Sequence, residues 1–339
     1  MLRTRRQSLL LLRKHPLRRL LQGRRLRVRV GSDMRPYKKF FIDTYDDIRS
    51  LTIQGAESIA YHGSKAVLLQ LKDYLYGISG DDYNPKKYDS YSNRVIRKML
   101  GARPTEPHLK NSINVGIGKN IPNTRKEALS QLNTGIGLIE SHYSIIHSKV
   151  SYHAKRALSQ YSIAYTHCHS SFVREAILSS NIKTVYNTET RPLYQGRITA
   201  KGIANKKVVH HYVDSGMSIA ISKSEVVLLG ADSITLRGDV INKIGSGMAG
   251  IIAKHHKKPL YVITGMLKLD MESAVDDTII EERNLKEIWV VRNKNIIIHN
   301  PAFEILESKY ITGIICEGGI LSPRKYVRKA KSMINSMKE

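Results

Sequence analysis

The stretch SIAYTHC, residues 162–168, is a short apolar run that ends on Cys168, and VVLLGAD, residues 226–232, is a second that ends on Asp232. Both carry the β-branched or aromatic side chains that suit strands, over lengths too short for an ordinary helix. Working outward, KTVYNTET (183–190), KVVHHYVD (207–214) and LYVITG (260–265) share this texture, and IWVVR (288–292) with IIIHN (296–300) adds a further candidate pair. Between them FVREAILSS (172–180), TAKGIAN (199–205), residues 216–221 and MAGIIAKHH (248–256) read as helices. Strands alternating with helices imply βαβ units and a mostly parallel sheet. Right-handed crossovers then gather the strand carboxyl ends on one edge, where open α/β sheets place their chemistry. A thiol and a carboxylate at two such ends form a candidate proton-transfer pair.

Upstream the texture is different. Apolar residues recur at helical spacing from Asp43 to about Gly77, interrupted at Gly55. GDDYNPKKYDSYSN (80–93) reads as a loop or insertion, and ARPTEPHLKNSINVGI (102–117) places two prolines ahead of a helix. A long amphipathic helix is expected from about Ala128 to Leu158. The expected organisation is a basic, disordered extension over 1–33 with Met34 as the true start, a helical domain over 34–158, and a Rossmann-like domain over 159–339.

The net charge is +26 over 339 residues. Residues 1–33 hold ten Arg, one Lys and one acidic residue, so they contribute +10 of it. The remaining charge suits a protein that handles polyphosphorylated anions. No interleaving of basic and aromatic residues points to base stacking, so no specific nucleic acid is expected. Cys168 and Cys316 are the two cysteines, which is no disulfide framework and fits a reducing cytoplasm. Cys316 reads as core. The adjacent pairs His210-His211 and His255-His256 do not share a helix face, and no metal site is expected. No apolar run approaches the ~20 residues of a membrane span.

THCHS, TETRP-x-x-QG-x-ITAK, VDS, GADSIT, VINKIG and NPAFE together resemble the family that joins ribose-1,5-bisphosphate isomerase, methylthioribose-1-phosphate isomerase and the regulatory subunits of translation initiation factor 2B. The resemblance runs from about Leu51 to the end and is dense from Tyr165 to Lys268. It implies a helical N-terminal domain followed by a Rossmann-like domain. It implies Cys168 and Asp232 as the catalytic pair, and THCHS with TETRP resembles the archaeal ribose-1,5-bisphosphate isomerases most. The implied reaction converts α-D-ribose 1,5-bisphosphate to D-ribulose 1,5-bisphosphate in AMP degradation, with the acid and base roles of the pair interchangeable. A non-catalytic regulatory subunit and a methylthioribose-phosphate isomerase are the alternatives.

The implied substrate-binding residues are Gln54, Gly55, Ala56, Glu57, Arg103, Ser170, Gln195, Asn242, Lys243 and Lys268. Gln54-Gly55-Ala56 stands where these isomerases usually have Arg-Gly-Ala, so one phosphate-gripping arginine is absent. Gly245-Ser246-Gly247 opens a helix whose amides favour a phosphate. His169 reads as positional, and Glu189 with Arg191 as an ion pair. The resemblance implies no metal or redox cofactor, AMP as an activator, and a homo-oligomer, either a dimer or a trimer of dimers.

Overall fold

In the computed structural model five helices among the described residues lead into the sheet: α1 (Pro36–Arg49), α2 (Ala56–Tyr76), α3 (Pro85–Leu100), α4 (Pro107–Ile117) and α5 (Arg125–Ala157). The structure describes residues 36–272 and 280–338, so the expectation for residues 1–33 lies outside the described residues. Residues 80–93, expected as a loop, form most of α3. Asn84 caps it by accepting from the Lys87 N–H at 3.1 Å, and Pro85 takes the first helical position. Its buried residues are Tyr88, Ser92, Val95 and Met99, one per turn, and so thin a stripe hides in a polar sequence.

Helix α5 has 33 residues and so runs about 50 Å. Thr124 caps it by accepting from the Glu127 N–H, and the Glu127 carboxylate returns to the Asn123 N–H. Its first half packs Ala128, Leu132, Ile139 and Tyr143 into a helical core with Ile48, Leu68, Leu71, Met99 and Leu109. Its second half packs Ile146, Val150 and Ala154 onto the sheet. One element therefore belongs to both layers, and Tyr37–Glu339 forms one compact unit. Helices α4 and α5 cross in backbone contact. A Cβ on Gly135 would lie 1.8 Å from the Gly116 carbonyl oxygen, so the crossing requires glycine.

The strands and helices that follow are β1 (Ile163–Thr166), α6 (Ser171–Ser179), β2 (Thr184–Thr188), α7 (Gln195–Ile203), β3 (Val208–Tyr212), α8 (Met217–Ser222) and β4 (Val226–Leu229). Then come β5 (Ser233–Ile234), β6 (Val240–Lys243), α9 (Ser246–His255), β7 (Leu260–Ile263), β8 (Phe303–Leu306), β9 (Gly313–Cys316), β10 (Gly319–Leu321) and α10 (Pro323–Ser336). Seven strands form one sheet in the order β10-β9-β7-β4-β1-β2-β3, parallel except for the β9–β10 hairpin. Side chains alternate between its faces with period 2. Tyr165, Val227, Leu229 and Val262 enter one core, and Ala164, Val226, Leu228 and Ile263 enter the other.

Two strand expectations change. VVLLGADSI does not continue as one strand: the chain leaves the sheet after Leu229, and β5 joins a separate three-stranded antiparallel sheet with β6 and β8. Residues 288–299 form no strand, and Val290 and Ile297 stand 68% and 79% exposed. Apolar composition alone gives no strand where no hydrogen-bonding edge is offered. Among the described residues nearby, the pairing is an isolated bridge between Glu282 and Pro301.

Candidate active site

From β1 the chain proceeds to β2 and β3 on one side of the sheet, and then β4 returns to the other side of β1. The strand order therefore reverses between β1 and β4, which is the switch point where such sheets open a crevice. Thr166 pairs with Leu228 in register, so His167-Cys168 and Gly230-Ala231-Asp232 leave the sheet side by side. The two residues that close the runs quoted first come together here.

Cys168 holds a left-handed backbone conformation with φ 66°, a strained state for a residue with a Cβ. Two threonines hold it. Its N–H donates to Thr190 Oγ1 at 2.9 Å, and its carbonyl accepts from the Thr199 hydroxyl at 2.8 Å. His169 Nδ1 lies 3.0 Å from Thr199 Oγ1, and since that hydroxyl's proton goes to the Cys168 carbonyl, His169 is the donor. His169 thus supports the turn. His167 is buried, with Nε2 donating to the Ile244 carbonyl at 2.8 Å and Nδ1 accepting from Thr188 Oγ1 at 2.7 Å. Burial lowers its pKa, which suits this neutral tautomer.

Burial pushes the Cys168 thiol up to about 11, and the nearby Asp232 carboxylate adds to the rise. Lys243 and Arg283 oppose it. Lys243 ends β6 and is 5% exposed, with its ammonium 4.8 Å from the Phe303 ring centroid. Burial lowers its pKa, because a desolvated ammonium is unfavourable. Asn242 donates to Ser246 Oγ at 2.8 Å, which fixes the following turn. The anion seat expected at Gly245-Ser246-Gly247 is filled by the chain itself. Glu304 Oε1 accepts from the Gly245 N–H at 2.5 Å and the Gly247 N–H at 2.8 Å.

On the Asp232 side, Lys268 is 5% exposed and donates from Nζ to the Ala231 carbonyl at 2.5 Å. The adjoining backbone is held by Asn111, whose amide donates to the Leu267 and Leu269 carbonyls. Arg103 pairs with Glu281 at 3.2 Å, and the same carboxylate lies 3.4 Å from Arg283 Nε. Glu106 is buried beside this group. Asp232, Lys268, Arg103 and Glu281 all act on its charge.

Other expected residues serve as supports. Gln54 is exposed and turns its amide back to the Leu51 carbonyl at 2.7 Å. Gly55 precedes α2 with φ 83°, and Ala56 is buried in the first turn. Glu57 accepts from Ser171 Oγ at 2.7 Å and lies 2.5 Å from His147 Nε2, tying α2 to α6 and α5. Ser170 caps α6 by accepting from the Val173 N–H. Gln195 opens α7, and its buried Oε1 has no hydrogen-bond partner among the described residues. Glu189 pairs with Arg197 at 2.9 Å, while the Arg191 guanidinium donates to Tyr194, so the expected Glu189–Arg191 pair does not form.

Glu106, Glu281 and Arg283 were missed in the sequence. Glu106 stood inside the ARPTEP stretch already quoted. Glu281 and Arg283 lie in a polar segment with no strand to place it. Two surface hollows of about 370 and 440 Å³ lie away from this site, at the amino ends of β2 and β3 and of β7 and β9.

Residues 52–323 match the model of the initiation factor 2 subunit family. The chain belongs to that family. Among curated relatives, the ribose 1,5-bisphosphate isomerase of Methanocaldococcus jannaschii is 32% identical over 83% of this chain and 91% of its own length. The methylthioribose-1-phosphate isomerase of Natranaerobius thermophilus is 28% identical over 84% and 88%. Among solved structures, the translation initiation factor eIF-2B of Pyrococcus horikoshii OT3 superposes with TM-score 0.71 at 20% identity, covering 85% of this chain and 98% of that one. The 5-methylthioribose 1-phosphate isomerase of the same organism superposes with TM-score 0.66 at 19% identity, covering 86% and 87%. The shared fold is the one expected, with helices leading into a mostly parallel sheet.

Proposed function

We propose that this protein is an aldose–ketose isomerase that converts α-D-ribose 1,5-bisphosphate to D-ribulose 1,5-bisphosphate. The observation that carries this reading is the meeting of Cys168 and Asp232 at the switch point, flanked by cations on both sides. Lys243 and Arg283 act on the thiol, and Lys268 and Arg103 lie around Glu106 on the Asp232 side. Four cations around one crevice suit a substrate with two phosphates better than one with a single phosphate. The isomerase name of the relative at 32% identity supports the same reading.

The reaction needs one proton donor and one acceptor. The donor protonates the ring oxygen as the C1–O bond breaks, leaving a hydroxyl on C4. The acceptor removes the C2 proton, and the electron pair forms the C1–C2 double bond of an enol phosphate. The acceptor then returns its proton to C1, and the O2 hydroxyl proton restores the donor as the ketone forms. Cys168 and Asp232 are the pair in this reading. Lys243 and Arg283 act against burial and so favour the thiolate form of Cys168.

The test is phosphorus and proton NMR of the purified protein with ribose 1,5-bisphosphate. Ribulose 1,5-bisphosphate is expected to appear, with Cys168→Ser and Asp232→Asn each slowing turnover at least ~1,000-fold while the fold is retained. Turnover of methylthioribose 1-phosphate instead would select the second isomerase. Inertness toward both would leave a non-catalytic subunit. A homo-oligomer and stimulation by AMP belong to this reading, and the same assay probes them through added AMP and protein concentration.

A further inference from the structure

Glu106 immediately precedes α4 at the capping position, yet its side chain makes no capping hydrogen bond. Capping favours short side chains such as Ser, Asp or Asn, so capping does not account for a glutamate there. The residue is 7% exposed, and its buried Oε1 has no hydrogen-bond partner among the described residues. A buried oxygen without a partner costs about 1–3 kcal/mol, so it calls for an explanation.

An internal ion pair does not supply one. Lys268, after β7, gives its Nζ to the Ala231 carbonyl. Arg103, in the loop before α4, gives its guanidinium to Glu281. Asp232, after β4, and Glu281 both press negative charge on Glu106. Tyr143 of α5 is a further titratable neighbour, and its hydroxyl is engaged with His108 and Ser112. The carboxyl therefore has two acidic neighbours, two committed cations and an unanswered oxygen.

We propose that Glu106 is a substrate-contacting residue whose carboxylic acid group donates a hydrogen bond to an oxygen of the sugar bisphosphate beside Asp232. This rests on the isomerase reading above. Burial pushes Glu106 up to about 8, and Asp232 and Glu281 add to the rise while Lys268 and Arg103 oppose it. At neutral pH the group is then an O–H donor that carries no charge. Such a donor faces a phosphorylated sugar without repulsion, whereas the ionised form would both repel it and compete for Lys268 and Arg103. Substrate affinity accordingly weakens as the pH rises through about 8.

The test measures turnover of ribose 1,5-bisphosphate by the wild type, and calorimetric binding of the same compound in a Cys168→Ser background, from pH 6.5 to 9.5. The background removes titration of the thiol, and Glu106→Gln and Glu106→Ala are added to it. Titration of Lys243 contributes equally with and without the Glu106 substitutions, so it subtracts out. With Glu106 present, Kd is expected to rise by up to ~10-fold per pH unit above pH 8. Glu106→Gln keeps an N–H donor, so binding at pH 7 falls less than about tenfold and the rise above pH 8 disappears. Glu106→Ala weakens binding at pH 7 by more than ~10-fold, with thermal unfolding confirming that it folds. An active wild type whose Glu106 variants keep its Kd and pH slope would reduce Glu106 to a structural residue and overturn the proposal. A wild type that neither turns over nor binds the bisphosphate would overturn it together with the isomerase reading, and the two failures are told apart by wild-type turnover.

Discussion

The thiol of Cys168 is where local environment decides chemistry. Burial and Asp232 hold its pKa near 11, while the Lys243 ammonium pulls it down. Only the thiolate alkylates readily, so iodoacetamide should modify Cys168 slowly at pH 7.5 and faster at each higher pH. Lys243→Met should move the rise to still higher pH, because it removes the opposing positive charge. Peptide mass spectrometry separates this site from Cys316, whose thiol burial pushes up to about 12. A rate that levels off below pH 9 in the wild type would contradict this account. Cys168 and Asp232 were legible because each closes an apolar run and the family resemblance then singled them out, whereas Lys243 and Lys268 were legible through the resemblance alone. Glu106 and Arg283 were not, because what singles them out is burial and the charges around them, and those arise only when distant segments pack. Gln54 stands where the resemblance has a phosphate-gripping arginine, and its amide closes a local turn.

At the scale of elements, the site depends on helices being locked against one another. His147 of α5 lies 2.5 Å from Glu57 of α2 through Nε2 and 2.7 Å from Glu175 of α6 through Nδ1. Burial disfavours the imidazolium, but the two carboxylates outweigh it and raise His147 to about 9. For Glu57, burial acts upward, and the His147 and Ser171 contacts outweigh it and lower the pKa. A histidine raised in the folded state stabilises fully below its unfolded value of about 6.5, and that contribution is lost as pH rises through 9. The Glu57 contribution is present above about 4.5 and is lost as pH falls. The clamp is therefore strongest between about pH 4.5 and 6.5. It is worth up to about 3 kcal/mol from the histidine. His147→Gln should lower the thermal midpoint most within that window and least near pH 9.5, as calorimetry across pH would record. A pH-independent loss would make His147 a packing residue stacked on Phe172 and nothing more. Strands β1, β2, β4 and β7 were readable because burial on both faces demands continuous apolar runs. Helix α3 was hidden by its single buried residue per turn. Residues 288–299 misled in the opposite direction, since they are apolar without being paired.

For the whole molecule, charge is spread unevenly along the chain. Of the +26 total, residues 1–33 carry +10. The described cores draw on residues from Phe41 to Ile334, and the candidate site draws on residues between Glu57 and Arg283. Burial of apolar area dominates stability, whereas net charge governs long-range attraction to polyanions. A chain that starts at Met34 should therefore keep its thermal midpoint within ~2 °C and keep its kcat/KM for ribose 1,5-bisphosphate. It should also elute from a heparin column at lower salt than the full chain, because fewer cations are available to release counterions. The two halves of this prediction fail independently. A midpoint lowered by many degrees would mean that the first 33 residues contribute to the cooperative unit. An unchanged salt of elution would place polyanion binding on Tyr37–Glu339. The +16 that remains after Asp33 would then have to be clustered on one face rather than serving substrate phosphates alone.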